Sequence, residues 1–128
     1  MVTRKKFTLA LLEWSHYSLP ASFRFLARRM VYLPQDVMAS FSNKDQLIPP
    51  KGLIFTGSGD FVKVGNQLVE GLKNHCQLQP NHAVLDVGCG IGRIAIPLTK
   101  YLNSDGRYEG FDVIKTGIDW CQKKVTPN

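Results

Sequence analysis

Apolar positions in the second half of the chain alternate between two kinds of run. Ala83-Val84-Leu85-Asp86-Val87 is short, apolar and β-branched, with no polar alternation before the acid, and predicts a strand covered on both faces in a parallel sheet. Apolar residues then recur at Ile91, Ile94, Ala95 and Leu98, a helical spacing that predicts a helix over 91–102. Pro97 falls in its expected interior, where it removes one backbone hydrogen bond and bends the axis. Asn103-Ser104-Asp105-Gly106 marks a turn, and a second strand over 107–113 places Asp112 at its far end. A further helix over 116–125 carries Ile118, Cys121 and Val125 on one side. Upstream, Asp60 is placed to cap a helix over 61–76, whose apolar face is Phe61, Val64, Leu68, Val69 and Leu72. Strand, helix, strand, helix in this order predicts an α/β fold with a parallel sheet.

The first 50 residues read differently. Leu9, Leu12 and Trp14 suggest one short helix over 1–18, and Pro20 is well placed to start another. In that second helix Phe23, Leu26, Ala27, Met30 and Leu33 form an apolar stripe with Arg24 and Arg28 on its flank, and Pro34 is expected to end it. Residues 35–50, closed by Pro49-Pro50, read as a loop. The organisation expected is therefore a basic helical extension and linker over 1–50, followed by an α/β portion over 51–128.

Charge sharpens that division. Residues 1–33 hold Arg4, Lys5, Lys6, Arg24, Arg28 and Arg29 against Glu13 alone, which accounts for five of the six net positive charges. The α/β portion is nearly neutral, so it gives no clear nucleic-acid signal. The basic helix fits packing on the domain surface or peripheral contact of residues 20–33 with anionic lipid. Packing is favoured at this level, because one short helix binds membranes weakly. No apolar run approaches the roughly 18 residues of a membrane span, and a mean hydropathy of -0.11 fits a soluble globular protein, expected to be cytoplasmic and peripheral at a membrane at most. Cys76, Cys89 and Cys121 are scattered and odd in number, which argues for a reducing compartment and offers no metal site or disulfide framework.

The chemistry is concentrated where the first strand meets its helix. Gly88, Gly90 and Gly92 stand at alternate positions, so the backbone there can take positive φ and be approached closely. In open α/β sheets that turn, at the carboxyl end of a strand, is where ligands bind. A dinucleotide turn has the spacing G-x-G-x-x-G and holds a pyrophosphate; here the spacing is G-x-G-x-G and Asp86 lies two residues before it. A carboxylate repels a pyrophosphate and attracts an ammonium group. Asp112, 26 positions after Asp86, is placed to accept hydrogen bonds from ribose hydroxyls, a role that nicotinamide enzymes share.

Val84-Leu85-Asp86-Val87-Gly88-Cys89-Gly90-Ile91-Gly92-Arg93 resembles the first signature of the class I S-adenosylmethionine-dependent methyltransferases. The resemblance covers about residues 50–128. It implies a Rossmann-like, doubly wound parallel sheet, incomplete here because the family has seven strands, so the chain is expected to be the N-terminal part of a longer enzyme and inactive alone. It implies S-adenosyl-L-methionine as cofactor, with Asp86 toward its amino group, Gly88, Cys89, Gly90, Gly92 and Arg93 around it, and Asp112 on the ribose. It also implies an acceptor whose identity these residues do not give. His16, His75 and His82 have no partner acid at telling spacing, so no catalytic residue is assigned. Two alternatives stay open: a nicotinamide-dependent oxidoreductase fragment, and a non-catalytic protein that binds a membrane or partner through its basic helix.

Overall fold

The computed structural model describes residues 20–41, 47–55, 57 and 59–127. The helix expected over 1–18, with His16, lies outside the described residues, as do positions 42–46 of the expected loop. The chain divides into two compact units, Met1–Lys44 with Pro50–Phe55 and Asp45–Pro49 with Thr56–Asn128.

In the first unit α1 (Ala21–Phe41) runs straight through Pro34. The expectation that Pro34 ends this helix is thus corrected, and Asp36 supplies the physical reason. Its carboxylate accepts from the Lys51 amide at 2.7 Å and the Gly52 amide at 2.9 Å, at the start of a one-turn 3-10 helix (Lys51–Leu53). That anchor holds the turn after the proline in place against the single hydrogen bond that proline removes. Phe25 meets Phe55 edge to face with centroids 5.4 Å apart, and Arg28 donates to the Lys51 carbonyl while lying over the Tyr32 ring. The face of α1 that packs on this segment therefore carries Phe25, Arg28, Tyr32 and Asp36.

The second unit is a mixed α/β arrangement: α2 (Phe61–Cys76), β1 (Ala83–Val87), α3 (Ala95–Tyr101), β2 (Arg107–Phe111) and α4 (Lys115–Lys124). Asp60 caps α2 as expected, accepting from the Lys63 amide at 2.8 Å. The two strands pair in parallel, with Val84 beside Tyr108, Asp86 beside Gly110 and Val87 beside Phe111. A core of Val69, Leu78 and Leu98 lies between α2, α3 and one face of this sheet, with Val84, Ile94, Tyr101 and Tyr108 packed around it.

Three expectations change in this unit. Coverage of β1 on both faces is not found: Leu85 is 65% exposed and Val87 69%, and Phe111 on β2 shares their face. Residues 91–94 form turns, so α3 starts at Ala95 and Pro97 falls in its first turn. The Ile96 and Leu98 amides on either side of it donate to the Gly92 and Ile94 carbonyls, so the amide that Pro97 lacks removes one bond from this series, as expected. Leu68, expected on the apolar face of α2, is exposed; Gly65 takes that place because α2 crosses so close to the glycine turn that a Cβ would overlap the Arg93 carbonyl oxygen. No helix of the described residues is long and apolar enough to cross a membrane.

Leu98, only 1% exposed, is the most enclosed side chain of the core. Leu98→Ala is expected to lower the stability of this unit by about 2–5 kcal/mol, whereas Leu68→Ala on the exposed side of α2 costs less than about 1 kcal/mol. Urea denaturation followed by circular dichroism compares the two, and equal losses would contradict this placement of the core.

Candidate functional site

The glycine turn leaves the end of β1 still attached to β2. The amides of Gly88 and Cys89 both donate to the Phe111 carbonyl, at 2.9 and 3.1 Å, which extends the strand pairing into the turn. Gly88, Gly90 and Gly92 all have positive φ, at 85°, 58° and 79°, as the alternating spacing predicts. Their surroundings separate them. Gly88 is exposed, and a Cβ on it would meet nothing within 4 Å. Gly90 is buried, and its amide is taken up by Asp112. Gly92 is buried under α4, where a Cβ would stand 2.9 Å from the Cys121 sulfur. Accessible backbone is thus provided by Gly88, while Gly92 lets α4 come close.

Asp112 leaves the strand pairing immediately after β2 and clamps the two loops at the sheet's carboxyl end. Its Oδ2 accepts from the Gly90 amide at 2.8 Å, and its Oδ1 accepts from the Ile114 amide at 2.7 Å, where the chain turns into α4. Each carboxylate oxygen has a second lone pair, so these bonds leave acceptor capacity for a hydroxyl.

Asp86 points to the covered side of the sheet. Tyr108, two residues from the Gly110 that pairs with Asp86, reaches across and donates its hydroxyl to Asp86 Oδ2 at 2.9 Å. Gly110 makes that reach possible: a Cβ on it would lie 2.6 Å from the Tyr108 hydroxyl and 3.0 Å from Cys89 Cβ. Burial, and then the bond to Asp86, push the Tyr108 phenol well above its ordinary range, so it stays a proton donor. Tyr108 and Gly110 did not stand out in the sequence. The signal was the parallel register, which sets residues two apart in β2 on the same face as Asp86.

Cys89 is buried among these groups, and burial followed by the charges of Asp86 and Asp112 raises its thiol pKa. Cys121, on α4 beside Gly92, is pushed up to about 11, mainly by burial. Neither is a ready nucleophile, since the thiolate is the reactive form. Arg93 stacks over the Phe61 ring, 4.9 Å from its centroid, and lies against Gly57. It ties the turn to the segment leading into α2. His75 and His82 are exposed, and His82 Nδ1 accepts from the Gln79 amide. No group of side chains able to hold a metal ion occurs among the described residues. One open groove runs along α2 past Asp60, Lys63, Asn66 and Glu70, and a pocket of about 150 Å³ lies between Ile48, Phe61, Arg93 and Pro97; neither takes in Asp86, Gly88 or Asp112. The carboxyl end of the sheet is therefore an open ledge with a fixed carboxylate and one bare stretch of backbone. No protein-family model matches the chain, and no solved structure matches it.

Two predictions follow from the contacts of Gly110 and the thiols. Gly110→Ala displaces the Tyr108 phenol and is expected to cost about 1–3 kcal/mol, and Tyr108→Phe about 1 kcal/mol; because both act through the bond to Asp86, the double variant loses less than the sum in denaturant titrations. In the second, Cys121 holds its proton more tightly folded than unfolded, so its contribution to stability is complete below the ordinary thiol range and is lost as pH rises toward about 11. Mass spectrometry after iodoacetamide at neutral pH should find the exposed Cys76 alkylated well before Cys89 and Cys121, and labelling of all three at one rate would contradict this.

Proposed function

We propose that the α/β unit is the cofactor-binding part of an S-adenosyl-L-methionine-dependent methyltransferase with a Rossmann-like, doubly wound sheet. The observation that carries the reading is Gly88: exposed, at φ 85°, with open space beside it, and two residues beyond a carboxylate at the end of a parallel strand. That juxtaposition suits a zwitterionic amino-acid head, whose ammonium pairs with Asp86 while bare peptide comes within van der Waals range. A pyrophosphate at the same place would face the negative side chain. The exposed apolar face of Leu85, Val87 and Phe111 adds support, because parallel sheets bury such faces under helices on both sides. The free cysteines agree with a cytoplasmic setting.

The residues present fit such a ligand. Tyr108 holds Asp86 in one orientation through Oδ2, leaving Oδ1 for an ammonium. Asp112, fixed by two backbone amides, keeps lone pairs for ribose hydroxyls. Cys89 and Gly90 shape the floor of the turn, and Arg93 braces its far side against Phe61. The cofactor supplies a methyl group already activated on a sulfonium, so the protein's share of the reaction is alignment and exclusion of water. A base is required only for an acceptor that holds its proton tightly, and no described residue is assigned that part.

Calorimetric titration of the chain with S-adenosylhomocysteine and, separately, NADH tests the proposal. Asp86→Asn is expected to weaken S-adenosylhomocysteine binding about tenfold, equivalent to ~1.4 kcal/mol, and to leave NADH no worse. An Asp86→Asn protein with improved NADH affinity and unchanged S-adenosylhomocysteine affinity would transfer the site to a nicotinamide cofactor.

A further inference from the structure

α1 carries an apolar side on which none of the described contacts of its own unit falls. Phe23, Leu26, Met30, Leu33, Val37 and Phe41 follow one another at steps of three or four residues, and all are 47% exposed or more, with Phe41 at 85%. Met38, 75% exposed, widens the stripe. Phe25, Arg28, Tyr32 and Asp36, which hold the 50–55 segment, lie on the opposite side of the helix. Because α1 continues through Pro34, the stripe runs from Phe23 to Phe41, roughly 28 Å at about 1.5 Å per residue. A contiguous exposed apolar surface on this scale marks an interaction site.

Charge decides what it meets. On the helix circumference Arg29 borders the stripe on one side and Arg24 on the other, and the sequence has no acid between Glu13 and Asp36. Asp36 is turned away and held by backbone amides. A second copy seated on the stripe would bring a helix face with no acid from 23 to 35 against the exposed Arg29 of the first, a like-charge arrangement that opposes pairing. An anionic bilayer offers the complement: the apolar side chains enter the acyl boundary while the arginine stems lie along it and their guanidinium groups reach phosphate.

We propose that α1 lies in the plane of an anionic lipid surface, with Phe23, Leu26, Met30, Leu33, Val37 and Phe41 inserted and Arg24 and Arg29 on the headgroups. The exposed length beyond Pro34 is what changes the balance from the shorter helix expected over 20–33, since it adds Val37, Met38 and Phe41 to the inserted surface. This placement is independent of what the α/β unit binds.

Cosedimentation of the full chain with phosphatidylcholine vesicles, with and without phosphatidylglycerol, is the test. Binding is expected with phosphatidylglycerol and to weaken as salt is raised. Leu26→Asp with Met30→Asp should abolish it, and Arg24→Glu with Arg29→Glu should reduce it about tenfold or more, with helix content by circular dichroism unchanged in both. Equal binding to vesicles of both compositions would overturn the proposal, as would no binding to either or binding that survives both pairs of substitutions. So would a dimer in light scattering that Met30→Asp disperses, which would assign the stripe to a second copy.

Discussion

The α/β unit depends on how the carboxyl ends of two parallel strands are joined. Ordinary pairing ends at Val87 and Phe111, but the Phe111 carbonyl goes on to accept from both Gly88 and Cys89. One residue later Asp112 takes over, gripping the Gly90 amide with one oxygen and the Ile114 amide with the other. Buried amides must find acceptors, and a single carboxylate supplies them here for two loops at once. The glycine turn, the start of α4 and the position of Asp86 are fixed together by this arrangement, so none of them can shift alone.

Gly110 and Tyr108 show how a side-chain position is set by an absence. Asp86 faces a strand neighbour with no side chain, and the vacancy is filled diagonally by a phenol from two residues earlier. Burial keeps that phenol protonated, so it always donates, and a carboxylate next to it is held in one rotamer without a positive charge being spent on it. An ammonium ligand would then meet a negative group that no resident cation among its hydrogen-bonding partners has already neutralised. The same packing holds the Cys89 thiol pKa up: burial opposes its thiolate first, and the carboxylates around it then oppose a second negative charge.

Much of this was legible from periodicity. β1, the Asp60 cap and α2, the turn at Asn103 and the position of Asp112 all follow from short-range pattern, because each depends on residues within one turn or one strand of itself. What escaped depends on distant partners. Pro34 reads as a stop until Asp36 is seen held by Lys51 and Gly52, and Pro97 reads as interior until the helix start is known. Gly65 and Gly110 are unremarkable in sequence, because their purpose is the space they leave for Arg93, Tyr108 and Cys89. The three turn glycines look equivalent as letters, yet one faces open space, one donates its amide to Asp112 and one makes room for Cys121.

That unequal division bears on how the turn would work. If all three glycines served a ligand, the turn would need a ligand to become ordered. Instead Asp112 and α4 hold Gly90 and Gly92 from within, so the turn is set before anything binds, and only Gly88 is left to be approached. A preformed turn avoids an ordering cost at the moment of binding. Gly88, which is exposed, and Asp86, half-buried with one oxygen outside the Tyr108 bond, lie at the end of a strand whose other face, Leu85 and Val87, is apolar and exposed. Covering that face would remove water from the same end and strengthen the attraction between Asp86 and a positively charged ligand, because charge interactions gain as the local dielectric falls.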